Sequence, residues 1–369
     1  MTGAAELEAA GLYDPSAPDA ADRLALLEYL VGLGATLDDL AEAGPDGFAL
    51  VASKIALWGP GRRYTLEEVA ARLGIDRSVM VRIWRAAGFP DPELGARVFS
   101  KPDVEMFELM QAGLDFFGED AIIQLLRVLG SGAARIAEAS ISAFFVNVVP
   151  SAVESDPSGL ALARANTDSI GLLEGLTRGF DTLVRHHIEL GFRPIGPLDG
   201  SGGVDLVRKS VGFADLVDST RWTQQLDFIT LSRALSDFEA RASEVVVTRR
   251  GRVVKLIGDE ILFVADDAAA AVDIALALID EFAADPVLPP VRAGVATGEV
   301  VAREGDYSGN IVNLASRALT AAPPSTLLVD RATRDAIPPQ AFVCGREQAA
   351  ELKGFDTPVP LFALTRRAE

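Results

Sequence analysis

VGFADLVDST, residues 211–220, and VVKLIGDEIL, residues 253–262, are the two segments that decide how the second half of this chain folds. In each segment one acid, Asp215 or Asp259, follows apolar residues of strand character at the point where the chain turns. Two acids placed in this way can converge on one edge of a sheet. Because Mg²⁺ prefers a few carboxylate oxygens and completes its shell with water and substrate phosphates, the pair predicts a divalent-cation site.

The spacing of the two acids supports this arrangement. Asp259 follows Asp215 by 44 residues (259 minus 215), enough for one strand, one long helix and a returning strand. A Gly-Asp pair such as Gly258-Asp259 also suits a tight hairpin for structural reasons alone, but Asp is depleted in strands, so Asp215 points to function. The residues after Asp215 lead into a predicted helix whose free backbone N–H groups can hold phosphate oxygens.

The second half of the chain is predicted to be an α+β domain, because its apolar residues recur with a period of two in six segments and with a helical period in three. The predicted strands are 204–217, 252–257, 261–266, 291–302, 325–329 and 359–365, and the predicted helices are 223–247, 267–284 and 310–321. This order predicts a ferredoxin-like βαββαβ sandwich with its helices on one face of the sheet.

Further polar residues of this half have the character of a nucleotide site. Lys255 interrupts an apolar strand, where an ammonium group is costly without an acceptor, and Asp306 supplies an acid later in the chain. Asn313 and Arg317 lie four residues apart, hence on one face of a predicted helix, from which a guanidinium can stabilise charge on a phosphoryl oxygen. Lys353 is a weaker candidate phosphate ligand.

The first half, residues 1–184, is predicted to be an all-helical domain. Two of its runs, 122–129 and 141–149, are nearly apolar all round, which indicates burial between helices or in a dimer interface. A cavity for a lipid-like ligand is an alternative. Residues 185–203 are predicted to be a helix ending in a Gly- and Pro-rich linker, which places the second domain at residues 204–369.

A helix-turn-helix is predicted at about residues 62–101, with a resemblance to MerR-type regulators. A DNA-binding role would place Arg77, Arg82 and Arg85 on phosphates. The flanking sequence is strongly acidic, however, and a helix-turn-helix is also a compact way to pack three short helices. We therefore favour a scaffold role and expect no DNA partner.

His186 and His187, the two histidines of the chain, fall on the last helix before the linker. Since the intrinsic pKa of histidine, about 6.5, lies in the physiological range, they are candidate pH-sensitive regulatory residues. Two exposed linker histidines with no role are the alternative.

Composition narrows the function classes. The formal net charge of −19 disfavours unspecific binding to nucleic acid or anionic lipid, so bound phosphate has to be neutralised by metal ions and a few placed bases. One cysteine, Cys344, excludes an intrachain disulfide and suits a reducing cytoplasm. The longest uncharged apolar run, 139–153, has 15 residues, and no signal peptide is evident, so we expect a cytoplasmic protein without a membrane span.

Residues 205–365 resemble the catalytic domain of class III nucleotidyl cyclases. The positions that carry the resemblance are Phe213-x-Asp215, Lys255, Gly258-Asp259, Asp306, Asn313-x-x-x-Arg317 and Lys353. The resemblance implies an adenylyl cyclase that converts ATP into cyclic AMP and pyrophosphate between two Mg²⁺ or Mn²⁺ ions held by Asp215 and Asp259. It implies that Asn313 orients the ribose and that Arg317 stabilises the transition state.

The same resemblance indicates which residues contact the adenine and the phosphates of the nucleotide. Lys255 and Asp306 fall where the family selects adenine, and Lys353 lies near its triphosphate lysine. Asp218-Ser219 stands where Gly-Phe is commoner, and the segment before Asp306 is short, so Arg303 or another base is left to meet the β- and γ-phosphates.

The helical first half and the His-bearing linker resemble the soluble pH-responsive bacterial cyclases, whose N-terminal domains are dimeric and inhibitory and of which one type binds fatty acid. The family builds each site from two subunits, so one chain with the full residue set implies a homodimer with two sites. The alternatives are another palm-fold enzyme, such as a diguanylate cyclase, and a DNA-binding regulator with a degenerate cyclase domain.

Overall fold

The computed structural model of this chain describes residues 2–59, 63–191 and 206–367. The chain divides into two compact units, residues 1–197 and 198–369. Part of the predicted linker, residues 192–203, lies outside the described residues.

The first unit is helical throughout its described residues. Its helices are α1 (Ala4–Ala9), α2 (Ala20–Leu33), α3 (Leu37–Trp58), α4 (Leu66–Leu73), α5 (Arg77–Ala86), α6 (Lys101–Phe117), α7 (Glu119–Asn147), α8 (Val149–Ser155) and α9 (Leu160–Gly191). Local sequence sets several of the starts. Thr65, for example, accepts a hydrogen bond from the N–H of Glu68, whose carboxylate accepts one from the N–H of Thr65, which is a capping box at the start of α4.

The predicted helix-turn-helix region contains α4 and α5, separated by Gly74 in the left-handed conformation with φ 66°. Trp84 of α5 stacks on Phe89 with ring centroids 4.3 Å apart and packs edge-on against Phe99. The three arginines considered for DNA phosphates are each ion-paired within the unit, as Arg77–Glu67, Arg82–Glu119 and Arg85–Asp91. Their charges are therefore already neutralised by neighbouring carboxylates.

Long apolar helix faces of this unit are uncovered. On α7, Ile122 and Leu126 are buried, but Leu125, Leu129 and Phe145 are exposed. Burial between helices of the same chain, one of the two expectations for these runs, is therefore wrong for most of their length. Residues 175–191 of α9 are also exposed throughout.

The segment Glu119–Ser155, which comprises α7 and α8, is long and apolar enough to cross a membrane by length and composition alone. This differs from the expectation drawn from the longest uncharged run, because a span tolerates isolated charges such as Arg127. A single helix of this kind is a weak indication of a span.

The second unit is an α+β domain, as predicted. Its strands are β1 (Leu206–Leu216), β2 (Arg252–Ile257), β3 (Glu260–Ala265), β4 (Val291–Arg303), β5 (Asp306–Ser308), β6 (Leu327–Asp330), β7 (Phe342–Ala350) and β8 (Val359–Arg366), and its helices are α10 (Ser219–Thr223), α11 (Phe228–Thr248), α12 (Ala268–Phe282), α13 (Asn310–Ala321) and α14 (Arg331–Ala336). The short strand β5, the polar strand β7 and the two short helices α10 and α14 were not predicted, because none carries a clear apolar period.

The strands form one sheet in the order β2-β3-β1-β4-β6-β8-β7, with β5 paired to β4. β1 lies between β3 and β4 and is antiparallel to both, whereas β4 and β6 are parallel. β1 is therefore the central strand onto which the turn of the β2–β3 hairpin and the start of β4 converge.

Helices cover both faces of this sheet, so the expectation of helices on one face is wrong. α11 and α12 pack on the face that carries Ala214 and Phe263. α13 packs on the opposite face, which carries Val211 and Phe213. A strand that is buried on both faces is apolar at nearly every position and loses the alternation of a half-exposed strand. The period of two assigned to these segments predicts only one covered face.

Gly294 of β4 sets how closely α13 approaches the sheet. A Cβ atom at this position would lie 2.1 Å from the backbone nitrogen of Leu319 and 2.5 Å from the carbonyl oxygen of Ala315. Backbone atoms of the helix thus occupy the space that any other side chain would need. The position of α13 relative to β4 depends on the absence of a side chain here.

Candidate active site

The two acids of the predicted cation site lie at the ends of neighbouring strands. Asp215 is on β1, in register with Glu260 of β3. Asp259 lies in the β2–β3 turn after Gly258, which has φ 65°, and its backbone carbonyl accepts a hydrogen bond of 3.3 Å from the N–H of Leu216. This bond fixes the hairpin turn beside the end of β1, so the structure brings the two acids together.

Arg292 holds the carboxylate of Asp215 from the other side. It is the register partner of Asp215 on β4, and its Nε and Nη2 donate to the two carboxylate oxygens at 2.8 and 3.0 Å. Its Nη1 also donates to the carbonyl of Thr320 in the last turn of α13, at 3.4 Å. The hydrogen bonds from Arg292 to Asp215 raise the pKa of the guanidinium.

Sequence reasoning missed Arg292. The available signal was a base at the head of an apolar strand, similar to the signal that identified Lys255. The ion pair between Arg292 and Asp215 depends on the pairing of β1 with β4, because the two residues are 77 positions apart in the sequence.

The carboxyl of Glu260, next to the two acids, has a raised pKa. Burial raises the pKa of its carboxyl, and the negative charges of Asp215 and Asp259 raise it further. The second of these causes shows that the carboxylates of Asp215 and Asp259 lie near enough to Glu260 to act on its charge.

The donor set suits a hard divalent cation. Within residues 2–59, 63–191 and 206–367, no group of three or more His, Cys, Asp or Glu side chains is close enough to hold a metal ion. Mg²⁺ nevertheless binds commonly through one or two carboxylates together with substrate phosphates. Asp215 and Asp259 are the two carboxylates available here. The carboxylate of Asp215 already forms an ion pair of 2.8 Å with the guanidinium of Arg292.

A cleft of about 420 Å³ opens next to Asp215. Its lining residues are Asp215, Leu216, Asp218, Ser219, Thr220, Arg221, Gln224 and Arg292. The helix α10 begins here, but it is only five residues long and is capped by Asp218 at φ 54°. The chain after Asp215 therefore leads into a short helix, and the long helix predicted at residues 223–247 is α11, which starts at Phe228.

The pair predicted to read the base forms an ion pair. Lys255 Nζ lies 2.5 Å from a carboxylate oxygen of Asp306. Partial burial acts to raise the pKa of Asp306, but the hydrogen bonds from Lys255 and from the N–H of Tyr307 outweigh it and lower the pKa. Arg252 packs over the Tyr307 ring, 5.1 Å from its centroid, and holds the β4–β5 hairpin against β2.

Asn313 and Arg317 lie on the outer face of α13. Ala315 and Leu319 on the inner face are buried against the sheet, whereas Asn313 is exposed and Arg317 half-buried. Across the part of the chain that the structure describes, neither side chain has a hydrogen-bonding or ionic partner. They are not among the residues that line the cleft beside Asp215.

The other predicted phosphate ligands also lie outside this cleft. Lys353 is exposed in the β7–β8 connection and lines a separate open pocket of about 440 Å³. Arg303 ends β4 and lies 3.5 Å from the carboxylate of Glu304. One chain therefore does not bring Lys353 or Arg303 to the predicted cation site.

His186 and His187 are both exposed on α9, five and four residues before its end at Gly191. The Nδ1 atom of His186 lies 3.9 Å from the carboxylate of Glu189, one turn further along the helix.

Comparison with known proteins adds independent findings for both units. Residues 6–175 match the model of the adenylate cyclase regulatory domain. Residues 207–365 match the model of the adenylate and guanylate cyclase catalytic domain.

Relatives align over most of the chain. An adenylate cyclase of Streptomyces coelicolor is 36% identical over 340 residues, which cover 88% of this chain and 87% of the relative. An uncharacterized protein of Mycobacterium tuberculosis is 34% identical over 97% of this chain and 93% of its own length. A pH-sensitive adenylate cyclase of the same species is 28% identical over 94% of this chain and 89% of the relative. Among solved structures, the adenylyl cyclase CyaB from P. aeruginosa is 23% identical, with a TM-score of 0.41, over 45% of this chain and 97% of that one.

Proposed function

Because the chain belongs to the class III adenylate and guanylate cyclase family, with an adenylate cyclase regulatory domain before the catalytic domain, we propose that it converts ATP into 3′,5′-cyclic AMP and pyrophosphate. The observation that carries the proposal is the convergence of Asp215 and Asp259, which the hydrogen bond from Leu216 to the Asp259 carbonyl fixes at the end of β1.

Asp215 and Asp259 would hold two Mg²⁺ or Mn²⁺ ions. When bound, these cations supply positive charge that activates the ribose 3′-oxygen and neutralises the departing pyrophosphate. Arg292 donates to both carboxylate oxygens of Asp215, so we propose that it positions this acid at the end of β1.

In the proposed reaction the ribose 3′-oxygen forms a bond to the α-phosphorus, and the bond from that phosphorus to the pyrophosphate oxygen breaks. Asn313 orients the ribose, and Arg317 stabilises negative charge on the α-phosphoryl oxygens. The absence of another partner for Arg317 among the described residues supports this role. No His or Cys occurs in residues 205–343, so the 3′-hydroxyl proton leaves to Asp215, to solvent or to substrate phosphate.

Adenine selection is proposed for Lys255 and Asp306. Together they present a donor and an acceptor, which are the groups needed to distinguish the amino group and ring nitrogen of adenine from guanine. Their ion pair of 2.5 Å holds the two polar groups next to each other.

The active site is proposed to form between two copies of the chain. Asn313 and Arg317 do not line the cleft of their own chain, and among the described residues neither side chain has a hydrogen-bonding or ionic partner. A second copy would bring this face, together with Lys353 and Arg303, toward the acids of its partner. Leu176, Phe180 and Leu183 lie exposed along α9 at spacings of four and three residues, as expected for a helix that pairs with another helix.

Regulation by the first unit is also proposed, with pH or a lipid-like ligand as stimulus. Support comes from the match to a regulatory domain and from a relative that is named pH-sensitive. His186 and His187 lie near the end of α9, and a change of their charge with pH is the proposed signal. Replacing both with Ala in the full chain should flatten the dependence of activity on pH between about 5.5 and 8. An unchanged profile would remove the histidines from the proposal.

The decisive experiment is incubation of the purified full chain with ATP and Mn²⁺, followed by identification of the product. Asp215→Asn and Asp259→Asn should each lower cyclic AMP formation at least a hundredfold or so. Mn²⁺ should raise the melting temperature of the wild-type chain, and both variants should lose this rise. Asp335→Asn, an exposed acid on α14, is the matched control and should change neither quantity. Full activity in either metal-site variant would refute the assignment.

A further inference from the structure

Arg221 lies on the wall of the cleft beside Asp215 and is not among the residues through which the family resemblance was drawn. It is the third residue of α10 and shares the cleft lining with Arg292. Arg292 is committed to the carboxylate of Asp215 through two nitrogens. The side chain of Arg221 has no hydrogen-bonding or ionic partner among residues 2–59, 63–191 and 206–367. It is thus the guanidinium in this cleft that is available to a ligand.

The direction of Arg221 follows from how α10 is anchored. Trp222, the next residue, packs against the core shared by α11 and α12, and its Nε1 donates to the carbonyl of Val287 at 3.1 Å. With about 3.6 residues per turn, a helix that buries Trp222 presents Arg221 on another side, together with Gln224 three residues on. Both Arg221 and Gln224 line the cleft, as this geometry requires.

The charge of the cleft indicates what Arg221 does. Asp215 and Asp218 line it, Glu260 and Asp259 adjoin it, and the chain as a whole carries a net charge of −19. A polyanionic ligand is repelled from such a place unless cations compensate it. A free guanidinium at the wall provides fixed positive charge and paired donors that match the oxygens of a phosphate group.

We propose that Arg221 binds the terminal phosphates of the nucleoside triphosphate and retains the pyrophosphate after it departs. The inference rests on the proposed function in that the phosphates belong to ATP. The contact itself does not require a nucleotide, because Arg221 would recognise a condensed phosphate whether it is free or part of ATP. An exposed arginine that contacts only water is the alternative that the experiment has to separate.

The test compares binding of two unreactive probes to the full chain by calorimetry in the presence of Mg²⁺. Inorganic tripolyphosphate carries the phosphate chemistry, and adenosine carries the nucleoside without phosphate. Arg221→Gln should weaken tripolyphosphate binding about tenfold to a hundredfold, the range for losing a charge-assisted hydrogen bond. Arg221→Lys should recover part of the loss, because it keeps the charge but not the paired donors.

Arg233→Gln is the matched control, since Arg233 is an exposed arginine of α11 outside the cleft lining. It should leave both affinities unchanged, and adenosine binding should be the same in all variants. Unchanged tripolyphosphate binding in Arg221→Gln, or no binding by the wild-type chain, overturns the inference. An equal loss of adenosine affinity also overturns it, because that result indicates a structural defect.

Failure of the proposed function gives a different result. If the wild-type chain forms no cyclic AMP from ATP but Arg221→Gln still loses tripolyphosphate affinity, the activity is wrong and the phosphate contact stands. If cyclic AMP is formed and tripolyphosphate binding does not depend on Arg221, only the present inference fails.

Discussion

Replacing Gly294 with Ala should damage the proposed active site without touching any residue that contacts substrate. The added Cβ would lie 2.1 Å from the backbone nitrogen of Leu319, whereas ordinary contacts begin at 3.4 Å. The difference requires α13 to move about 1.3 Å away from β4 (3.4 less 2.1 Å), because backbone atoms cannot rotate out of the way as a side-chain tip can. Asn313 and Arg317 would move with the helix.

Two magnitudes follow from this displacement. Overpacking of a close-packed contact costs about 1–3 kcal/mol, and each kcal/mol lowers the melting temperature of a domain of this size by about 2–4 °C. A catalytic group misplaced by about 1 Å can cost on the order of a hundredfold in rate. We therefore expect Gly294→Ala to lower the melting temperature by several degrees and kcat for cyclic AMP formation by about a hundredfold.

Gly298→Ala provides the matched control on the same strand and under the same helix. Its Cβ would meet the end of the Ile311 side chain at 2.6 Å, and that side chain can change rotamer. Its effects on melting temperature and kcat should be clearly smaller than those of Gly294→Ala. If Gly294→Ala keeps both the wild-type melting temperature and kcat, the described contact between β4 and α13 is refuted. Loss of stability with unchanged kcat would instead refute the role proposed for α13.

Three other predictions concern base selection, acid stability and regulation. Lys255→Glu combined with Asp306→Cys should weaken the preference for ATP over GTP in competition assays, and an unchanged preference would show that the base is read elsewhere. Burial acts to raise the pKa of Asp285, but two backbone N–H groups after α12 and the side chain of Arg241 outweigh it and lower the pKa. Asp285 therefore stabilises the fold above its unfolded pKa of about 3.9, and this contribution is lost as pH falls through the lower folded value. Urea titrations should therefore show that Asp285→Asn is less stable than wild type near neutral pH, with the difference shrinking under strong acid; a constant difference would contradict the linkage. Residues 200–369 alone should differ from the full chain in activity as a function of pH, whereas identical profiles would end the proposal that the first unit regulates.

Much of the site could be predicted from the sequence because its signals are local. An acid that interrupts an apolar strand, as Asp215 does, stands out in a single segment. The four-residue spacing of Asn313 and Arg317 fixes a shared helix face whatever the rest of the chain does. Turn chemistry at Gly258 likewise predicted the hairpin that carries Asp259, and in the structure this turn lies beside the end of β1.

The other features depend on which strands pair and in which register, and no local pattern encodes that pairing. Arg292 reaches Asp215 across 77 residues because β1 and β4 are neighbours, and Lys255 reaches Asp306 across 51 because the β4–β5 hairpin folds against β2. The placement of Arg221 in the cleft depends on the anchoring of a helix too short to show a period. The sequence thus determined which chemical groups are present and the faces they occupy within each element, whereas tertiary structure alone decided which groups meet, because cross-strand register and helix docking are set by packing between distant segments.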